Sequence, residues 1–73
     1  MTKALFLDRL SEITRQKRLE KGYSQRELAS MIRSKGIDNN YICQIENRRK
    51  QGMSIDVLLM LMDALDIELD FAL

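Results

Sequence analysis

Two helix-start signals on either side of a turn constrain the fold of this chain more than any other feature of its sequence. Ser24 is a typical N-cap residue and Glu27 occupies the reciprocal capping-box position, which predicts a helix that begins after Ser24. Asp38 is a second N-cap signal and predicts a helix over residues 39–47. Residues 33–36 include a glycine and are typical of a turn. We therefore predict two short helices joined by a turn.

Both predicted helices carry apolar side chains at helical spacing. In the first helix the spacing i, i+3, i+4 and i+7 places these side chains on one face. In the second helix two isoleucines three residues apart share a face. The residues expected to be buried are Leu28, Ala29, Ile32, Ile42 and Ile45.

The outward face of the second helix carries amides rather than charges. At about 100° per residue, the side opposite the isoleucines holds Asn40, Cys43, Gln44 and Asn47, with Asn39 at the first turn of the helix. Asparagine and glutamine both donate and accept hydrogen bonds, so they can pair bidentately with the major-groove edge of adenine. A basic run at residues 48–50 follows directly and suits phosphate binding. These features favour DNA recognition over the alternative, an ordinary solvated helix face.

The distribution of charge also favours a polyanionic partner. Residues 1–50 hold all 12 Lys and Arg residues against six acids, a net charge of +6. Residues 51–73 hold five acids and no base, a net charge of −5. Such a split can arise from surface solubility alone, but its sign and location fit a DNA-facing first half.

With GYSQRELA before the turn and YICQIEN after it, the chain resembles the Cro and phage-repressor type of helix-turn-helix domain. This group is also called the xenobiotic-response-element (XRE) family of bacterial regulators, and the resemblance covers about residues 13–69. It implies an all-α fold: a lambda-repressor-like bundle of about five short helices in one domain over residues 1–73. One departure is the connection over residues 33–38, about three residues longer than the family pattern.

The resemblance also implies roles for individual residues. Asn39, Asn40 and Gln44 match the positions at which the family reads base edges. Cys43 lies on the same face and is added to the residues expected to read bases. The residues expected to contact phosphates are Gln25, Tyr41, Asn47, Arg48, Arg49 and Lys50. Arg18 and Glu46 match a pair that ties the first helix of the family to its recognition helix.

An N-terminal helix is predicted to pack across the motif. Its stripe follows the spacing i, i+4, i+7 and i+11 through Phe6, Leu10, Ile13 and Lys17. The helix should end at Gly22, because glycine readily adopts the left-handed conformation that follows a helix C-terminus.

A further helix is predicted over residues 55–65, with Ser54 as its N-cap. Its run from Val57 to Met62 is apolar without interruption, and a 73-residue chain has little other material to cover every side of it. We therefore expect a second copy of the chain to cover this helix in a homodimer. The alternative is a helix that is simply central, or one that bends into two pieces around one core.

The final residues change to a period of two, which predicts a β-strand. Ile67, Leu69, Phe71 and Leu73 share one face of it. A single strand needs a partner edge, so we expect it to pair with the same strand of a twofold-related copy, with Leu69, Phe71 and Leu73 as dimerisation residues. A C-terminus that continues as helix is the alternative. Antitoxins of persistence-type toxin–antitoxin operons resemble this arrangement.

Composition argues against several classes of protein. With no His and one Cys, neither a disulfide framework nor a zinc site is expected, and no cofactor is implied. The sequence shows no nucleophile signature and no phosphate-binding glycine loop, so we do not expect an enzyme. The apolar run at residues 4–7 is too short for a signal peptide, and we expect a cytoplasmic protein without a membrane or small-molecule partner. Cys43 is interpreted as a small side chain that fits its site rather than as a redox sensor.

Two functional hypotheses remain. The first is a repressor that binds double-stranded DNA as a homodimer at an inverted-repeat operator. The second is an antitoxin that binds a toxin protein and autoregulates its own operon. Both use the same motif, so the motif does not separate them.

Overall fold

The computed structural model describes residues 2–50 and 52–68, and these residues form four helices. The helices are α1 (Lys3–Glu20), α2 (Gln25–Met31), α3 (Asn39–Glu46) and α4 (Ile55–Ala64). Each begins after a residue whose side-chain oxygen accepts a backbone N–H of the first turn: Thr2, Ser24, Asp38 and Ser54. The described part of the chain is therefore all-helical.

The start of α2 shows the predicted capping box. The backbone N–H of Glu27 donates to Ser24 Oγ at 3.0 Å, and the backbone N–H of Ser24 donates to Glu27 Oε1 at 3.1 Å. The helix ends one residue earlier than its apolar spacing suggests, because Ile32 has an extended backbone. Ile32 is nevertheless buried, so this residue of the turn contributes to the core.

The core lies where α3 packs against both α1 and α2, while α2 also contacts α4. All five residues predicted to face inward on α2 and α3 are buried. The core cluster consists of Leu10, Leu28, Ala29, Ile32, Ile42, Ile45, Val57, Leu61 and Leu65. Burial of these apolar side chains is the main source of stability in a domain of this size.

The buried face of α1 shares Leu10 with the predicted stripe but is centred to one side of it. Its buried residues are Leu10, Ser11 and Thr14, whereas Phe6 and Ile13 are only half-buried. A buried serine is tolerated here because its hydroxyl donates to a backbone carbonyl of α3. The apolar spacing found Leu10 but not the centre of this face, because the other two buried residues are polar.

Three helices are each followed by a residue with a left-handed backbone conformation, and only one of these three residues is glycine. Gly22 follows α1 with φ 72°, Arg48 follows α3 with φ 61° and Asp66 follows α4 with φ 55°. The turn after α3 is typical: the N–H of Arg49 donates to the carbonyl of Gln44 at 2.8 Å, as in a Schellman motif. The predicted stop at Gly22 is therefore confirmed.

The C-terminal prediction lies mostly outside the described residues. Four helices, rather than about five, occur within residues 2–50 and 52–68. Ile67 and Glu68 belong to neither a helix nor a strand, and Leu69, Phe71 and Leu73 fall beyond the described range. Continuation of α4 as a helix through residue 66 is wrong, because Asp66 has a left-handed backbone. Within the described ranges, no helix is long and apolar enough to cross a membrane.

Candidate nucleic-acid interface

The helix α3 presents its amide side chains away from the core. Its inward residues Ile42 and Ile45 are buried, and Asn39 and Asn40 at its first turn are exposed. Gln44, one turn further on, is half-buried. These three amides thus occupy the outward side of α3, where side chains of a recognition helix meet base edges.

An ion pair whose side chains are largely shielded from water joins α3 to α1. Arg18 Nε donates to Glu46 Oε2 at 2.7 Å, and Arg18 Nη2 donates to Glu46 Oε1 at 3.0 Å. The hydrogen bond that Arg18 donates to the Glu46 carboxylate raises the pKa of Arg18 against the opposing effect of burial. The third nitrogen, Nη1, donates to the carbonyl of Tyr23 at 2.9 Å, so the guanidinium also holds the turn that leads into α2.

Glu46 also contacts the first residue of α2. The side-chain amide of Gln25 donates to Glu46 Oε1 at 3.4 Å. Through this carboxylate, residues of α1, α2 and α3 belong to one network, so the N-terminus of α2 and the recognition helix have a fixed relative position. The backbone of Glu46 is held as well, because Ser11 Oγ donates to its carbonyl at 3.1 Å.

Two of the predicted phosphate-binding residues, Tyr41 on α3 and Lys50 after it, lie together. The Lys50 ammonium lies 4.3 Å from the centroid of the Tyr41 ring, a cation–π distance. A tyrosine hydroxyl is protonated at neutral pH, and burial raises the pKa of Tyr41 further above its ordinary value of 10.0. A protonated phenol and an ammonium are both donors, as a phosphate oxygen requires.

Asn47 and Cys43 are paired with each other at the end of α3. The Asn47 side-chain amide donates to the Cys43 carbonyl at 2.8 Å and to Cys43 Sγ at 3.2 Å. The side-chain amide of Asn47 is therefore folded back onto the last turn of α3. Contact of Asn47 with a phosphate, or of Cys43 with a base, remains a prediction.

Arg48 lies against α1 in this structure. Its Nη2 atom is 3.1 Å from Glu12 Oε1, and its Nε atom is 3.5 Å from Asp8 Oδ1. The left-handed backbone of Arg48 turns the side chain back across the N-terminal helix. Arg48 and Arg49 are both exposed, and the guanidinium of Arg48 differs in having two carboxylates beside it.

Three residues at or near the interface were missed at the level of sequence. Ser11, Asp8 and Glu12 hold the end of α3 and the residue that follows it, yet none belongs to the motif. A signal for Ser11 was available, because Ser11 and Arg18 stand seven residues apart and therefore share a helix face. The partners of Arg48 gave no such signal, because they depend on its backbone conformation.

The geometry defines a helix-turn-helix domain, with α2 and α3 as the motif and Glu46 as the link between them. A family model described as helix-turn-helix matches residues 15–71. Because the match spans most of the chain, this protein belongs to the XRE-type helix-turn-helix family, which consists of DNA-binding transcription regulators. No match was found among curated proteins or among solved structures.

Proposed function

We propose that this protein is a repressor that binds an inverted-repeat operator as a homodimer. The observation that carries the proposal is the network around Glu46, which holds an amide-bearing face of α3 outward in a fixed pose. A fixed pose matters because bidentate pairing with a base tolerates little error in position. The base-reading residues in this proposal are Asn39, Asn40, Cys43 and Gln44.

Phosphate contacts position the recognition helix on either side of this face. Gln25 lies at the start of α2 and is oriented by Glu46, while Arg49 and Lys50 follow α3. In this arrangement, residues at the start of α2 and residues after α3 contact the phosphate backbone of the DNA. These contacts fix the register of the protein on the duplex. The remaining proposed phosphate ligands are Tyr41, Asn47 and Arg48.

The homodimer is supported by an uncovered apolar face on α4. Ile55 is 65% exposed and Leu59 is 52% exposed, and these two residues stand one helical turn apart. A second copy that covers this face removes apolar surface from water. A twofold axis places two recognition helices about 34 Å apart, one turn of DNA, and therefore calls for an inverted repeat. Strand pairing through Leu69, Phe71 and Leu73 belongs to the same proposal.

The experiment combines selection of DNA ligands with sedimentation. Rounds of selection from random duplexes should enrich a sequence with twofold symmetry, and sedimentation should give a dimer mass. The variant Leu59→Ser should weaken both dimerisation and operator binding. Its matched control is Leu19→Ser, since Leu19 is 58% exposed on α1. Enrichment of a site without symmetry, together with a monomer mass for the wild-type protein, would overturn the proposal.

An antitoxin role is the second candidate, because a dimer that represses its own operon serves that role as well. The apolar surface on α1 supports it, since Leu5 is 43% exposed on a different helix from the proposed dimer face. Coexpression with the product of the adjacent gene tests this role. Relief of toxicity by the wild-type chain and its loss in a Leu5→Ser variant would favour the antitoxin.

A further inference from the structure

A polar cleft lies between α1 and the end of α3, and its volume is about 320 Å³. Three residues of α1 form one wall and three residues at the end of α3 form the other: Ser11, Glu12, Arg15, Glu46, Asn47 and Arg48. Asn47 lies on the outward side of α3, three residues after Gln44 and seven after Asn40. The cleft therefore opens beside the amide face that is proposed to read bases.

We propose that Arg15 binds a backbone phosphate of the DNA at this cleft, so that α1 holds the duplex together with the motif. Arg15 lies outside α2 and α3, and the sequence motif does not include it. The inference rests on the proposed function, because it needs the outward face of α3 to lie in the major groove.

The position of Arg15 is set by two neighbours on its own helix. Ser11, four residues earlier, and Arg18, three residues later, share a helix face with Arg15. Both bind the last residue of α3: Ser11 Oγ donates to the Glu46 carbonyl at 3.1 Å, and Arg18 Nε donates to Glu46 Oε2 at 2.7 Å. Because Arg15 lies between these two anchors, its backbone is held beside the end of the recognition helix, and the residue itself is exposed.

Each carboxylate that lines the cleft has a guanidinium other than that of Arg15 as its partner. Glu46 binds Arg18, and Glu12 Oε1 accepts from Arg48 Nη2 at 3.1 Å. Among the described residues, Arg15 forms no ion pair with a carboxylate. Its charge is therefore the uncompensated one in the cleft, and its forked N–H donors match the geometry of phosphate oxygens.

A purely structural role for Arg15 would be to cap the end of α3, because cations are favourable near a helix C-terminus. The last carbonyls of α3, however, already accept hydrogen bonds from backbone N–H groups after the helix or from the Ser11 hydroxyl: those of Cys43, Gln44, Ile45 and Glu46. The end of α3 is thus satisfied without Arg15. This observation favours a role for Arg15 toward a ligand.

Salt titrations of the full chain on the selected operator and on a scrambled duplex test the contact. Arg15→Gln should weaken binding to both DNAs by the same factor and lower the slope of log affinity against log salt by roughly one for each bound copy. The matched control is Arg9→Gln, because Arg9 is also exposed on α1 but lines the groove between α1 and α4. This control should leave the slope nearly unchanged. Both variants should keep the urea midpoint of the wild-type protein.

Operator duplexes that each carry one neutral methylphosphonate in place of a phosphate locate the contact. At one position in the site of each copy, the methylphosphonate should weaken binding of the wild-type protein. The same duplex should weaken binding of Arg15→Gln by less than about twofold, because losses at partners in contact are not additive. Arg15→Lys should keep the salt slope and bind less tightly than the wild-type protein, because lysine retains the charge but not the fork.

Three results would refute a phosphate contact by Arg15. The first is an unchanged salt slope in Arg15→Gln, and the second is an equal loss of slope in Arg9→Gln, which means a general effect of charge. The third is additive losses of Arg15→Gln with every methylphosphonate. If Arg15→Gln is less stable than the wild-type protein, Arg15→Lys takes its place in this series and additive losses have the same meaning. Failure of the proposed function looks different, because the wild-type protein then prefers no duplex, while the salt slope on random DNA still tests Arg15.

Discussion

Arg18 and Glu46 join α1 to the recognition helix through two parallel hydrogen bonds, and their side chains are only 11% and 4% exposed. Removal of one partner leaves the other charge without compensation in a site nearly closed to water. We expect Glu46→Ala to lower the free energy of unfolding by about 3 kcal/mol in urea denaturation. Operator binding should weaken as well, because Gln25 loses its contact with the same carboxylate.

The control for this prediction is a similar truncation in an exposed pair. Lys17 and Glu20 are 3.7 Å apart, with side chains 37% and 53% exposed. Glu20→Ala should cost less than about 1 kcal/mol, since water screens exposed ion pairs. Equal stability of Glu46→Ala and the wild-type protein would contradict the role given to the buried pair.

Thr14 offers a substitution that should stabilise the protein. Its side chain is fully buried, and its Oγ1 atom has no hydrogen-bond partner among the described residues. Thr14→Val keeps the branched shape and removes the hydroxyl, so we expect a gain of about 1 kcal/mol in thermal or urea unfolding. Ser11→Ala is the counterpart and should cost about 1 kcal/mol, because the Ser11 hydroxyl is bonded to the Glu46 carbonyl. A loss of stability in Thr14→Val would indicate a partner for this hydroxyl.

The pair of Lys21 and Asp66 predicts a dependence of stability on pH. The hydrogen bond and charge of Lys21 lower the pKa of Asp66 below its ordinary value of 3.8. A depressed pKa in the folded state stabilises the protein above the ordinary pKa, and this contribution is lost as the pH falls through the folded value. We therefore expect Asp66→Asn to be less stable than the wild-type protein at neutral pH, with a difference that shrinks in acid.

Asparagine suits this test because it tolerates the left-handed backbone that Asp66 adopts. Asp63→Asn, the same change in charge one turn earlier, controls for the net charge of the domain. A stability difference between Asp66→Asn and wild type that stays constant down to acid pH would show that the ion pair does not contribute. Denaturation midpoints measured over a pH series give this comparison directly.

The carboxylates beside Arg48 should restrain DNA binding. Asp8 and Glu12 hold the guanidinium of Arg48 and add negative charge next to the proposed interface. The double variant Asp8→Asn, Glu12→Gln should therefore bind both operator and random duplexes more tightly, with a steeper dependence on salt. Glu20→Gln removes a charge from the same helix away from Arg48 and should have a smaller effect. Unchanged affinity in the double variant would mean that Arg48 makes no phosphate contact.

Local signals explain which parts of the fold could be predicted. The caps at Ser24 and Asp38 depend on neighbours three residues away, so sequence was sufficient to place the starts of α2 and α3. The apolar spacing of three and four residues is also a local signal, and it correctly placed Leu28 and Ile42 in the core. The family resemblance added Arg18 and Glu46, which are distant in sequence and which no local pattern joins.

Contacts that depend on backbone direction could not be predicted in this way. Phosphate binding by Arg48 stays a prediction, but no sequence signal indicated its contact with Glu12, 36 residues earlier in the chain, which depends on the left-handed backbone of Arg48. The apolar stripe of α1 located Leu10 but not Ser11, because the burial of a serine depends on the carbonyl that its hydroxyl binds. The period-two spacing likewise predicted an apolar face that includes Ile67, but it did not predict which part of the protein packs against that face.

The two classes of DNA contact should be separable by substitution at Gln44 and Arg49. Gln44 lies on the outward side of α3, and Arg49 follows the helix with its side chain exposed. We expect Gln44→Ala, and likewise Asn40→Ala, to lose about 1–3 kcal/mol on the operator and little on random DNA, because bidentate amides distinguish bases. Arg49→Ala should weaken binding to both DNAs alike and lower the slope of log affinity against log salt by roughly one.

Salt titrations on operator and scrambled duplexes measure both effects for each variant. Gln44→Ala serves as the control for Arg49→Ala, since an uncharged amide releases no counterion and should leave the slope nearly unchanged. The connection over residues 33–38 is what makes the test informative, because its length could rotate α3 relative to the family's usual pose. If Gln44→Ala and Asn40→Ala both keep the full preference for the operator, a different face of α3 lies in the groove. The assignment of base-reading residues is then wrong even though the protein binds DNA.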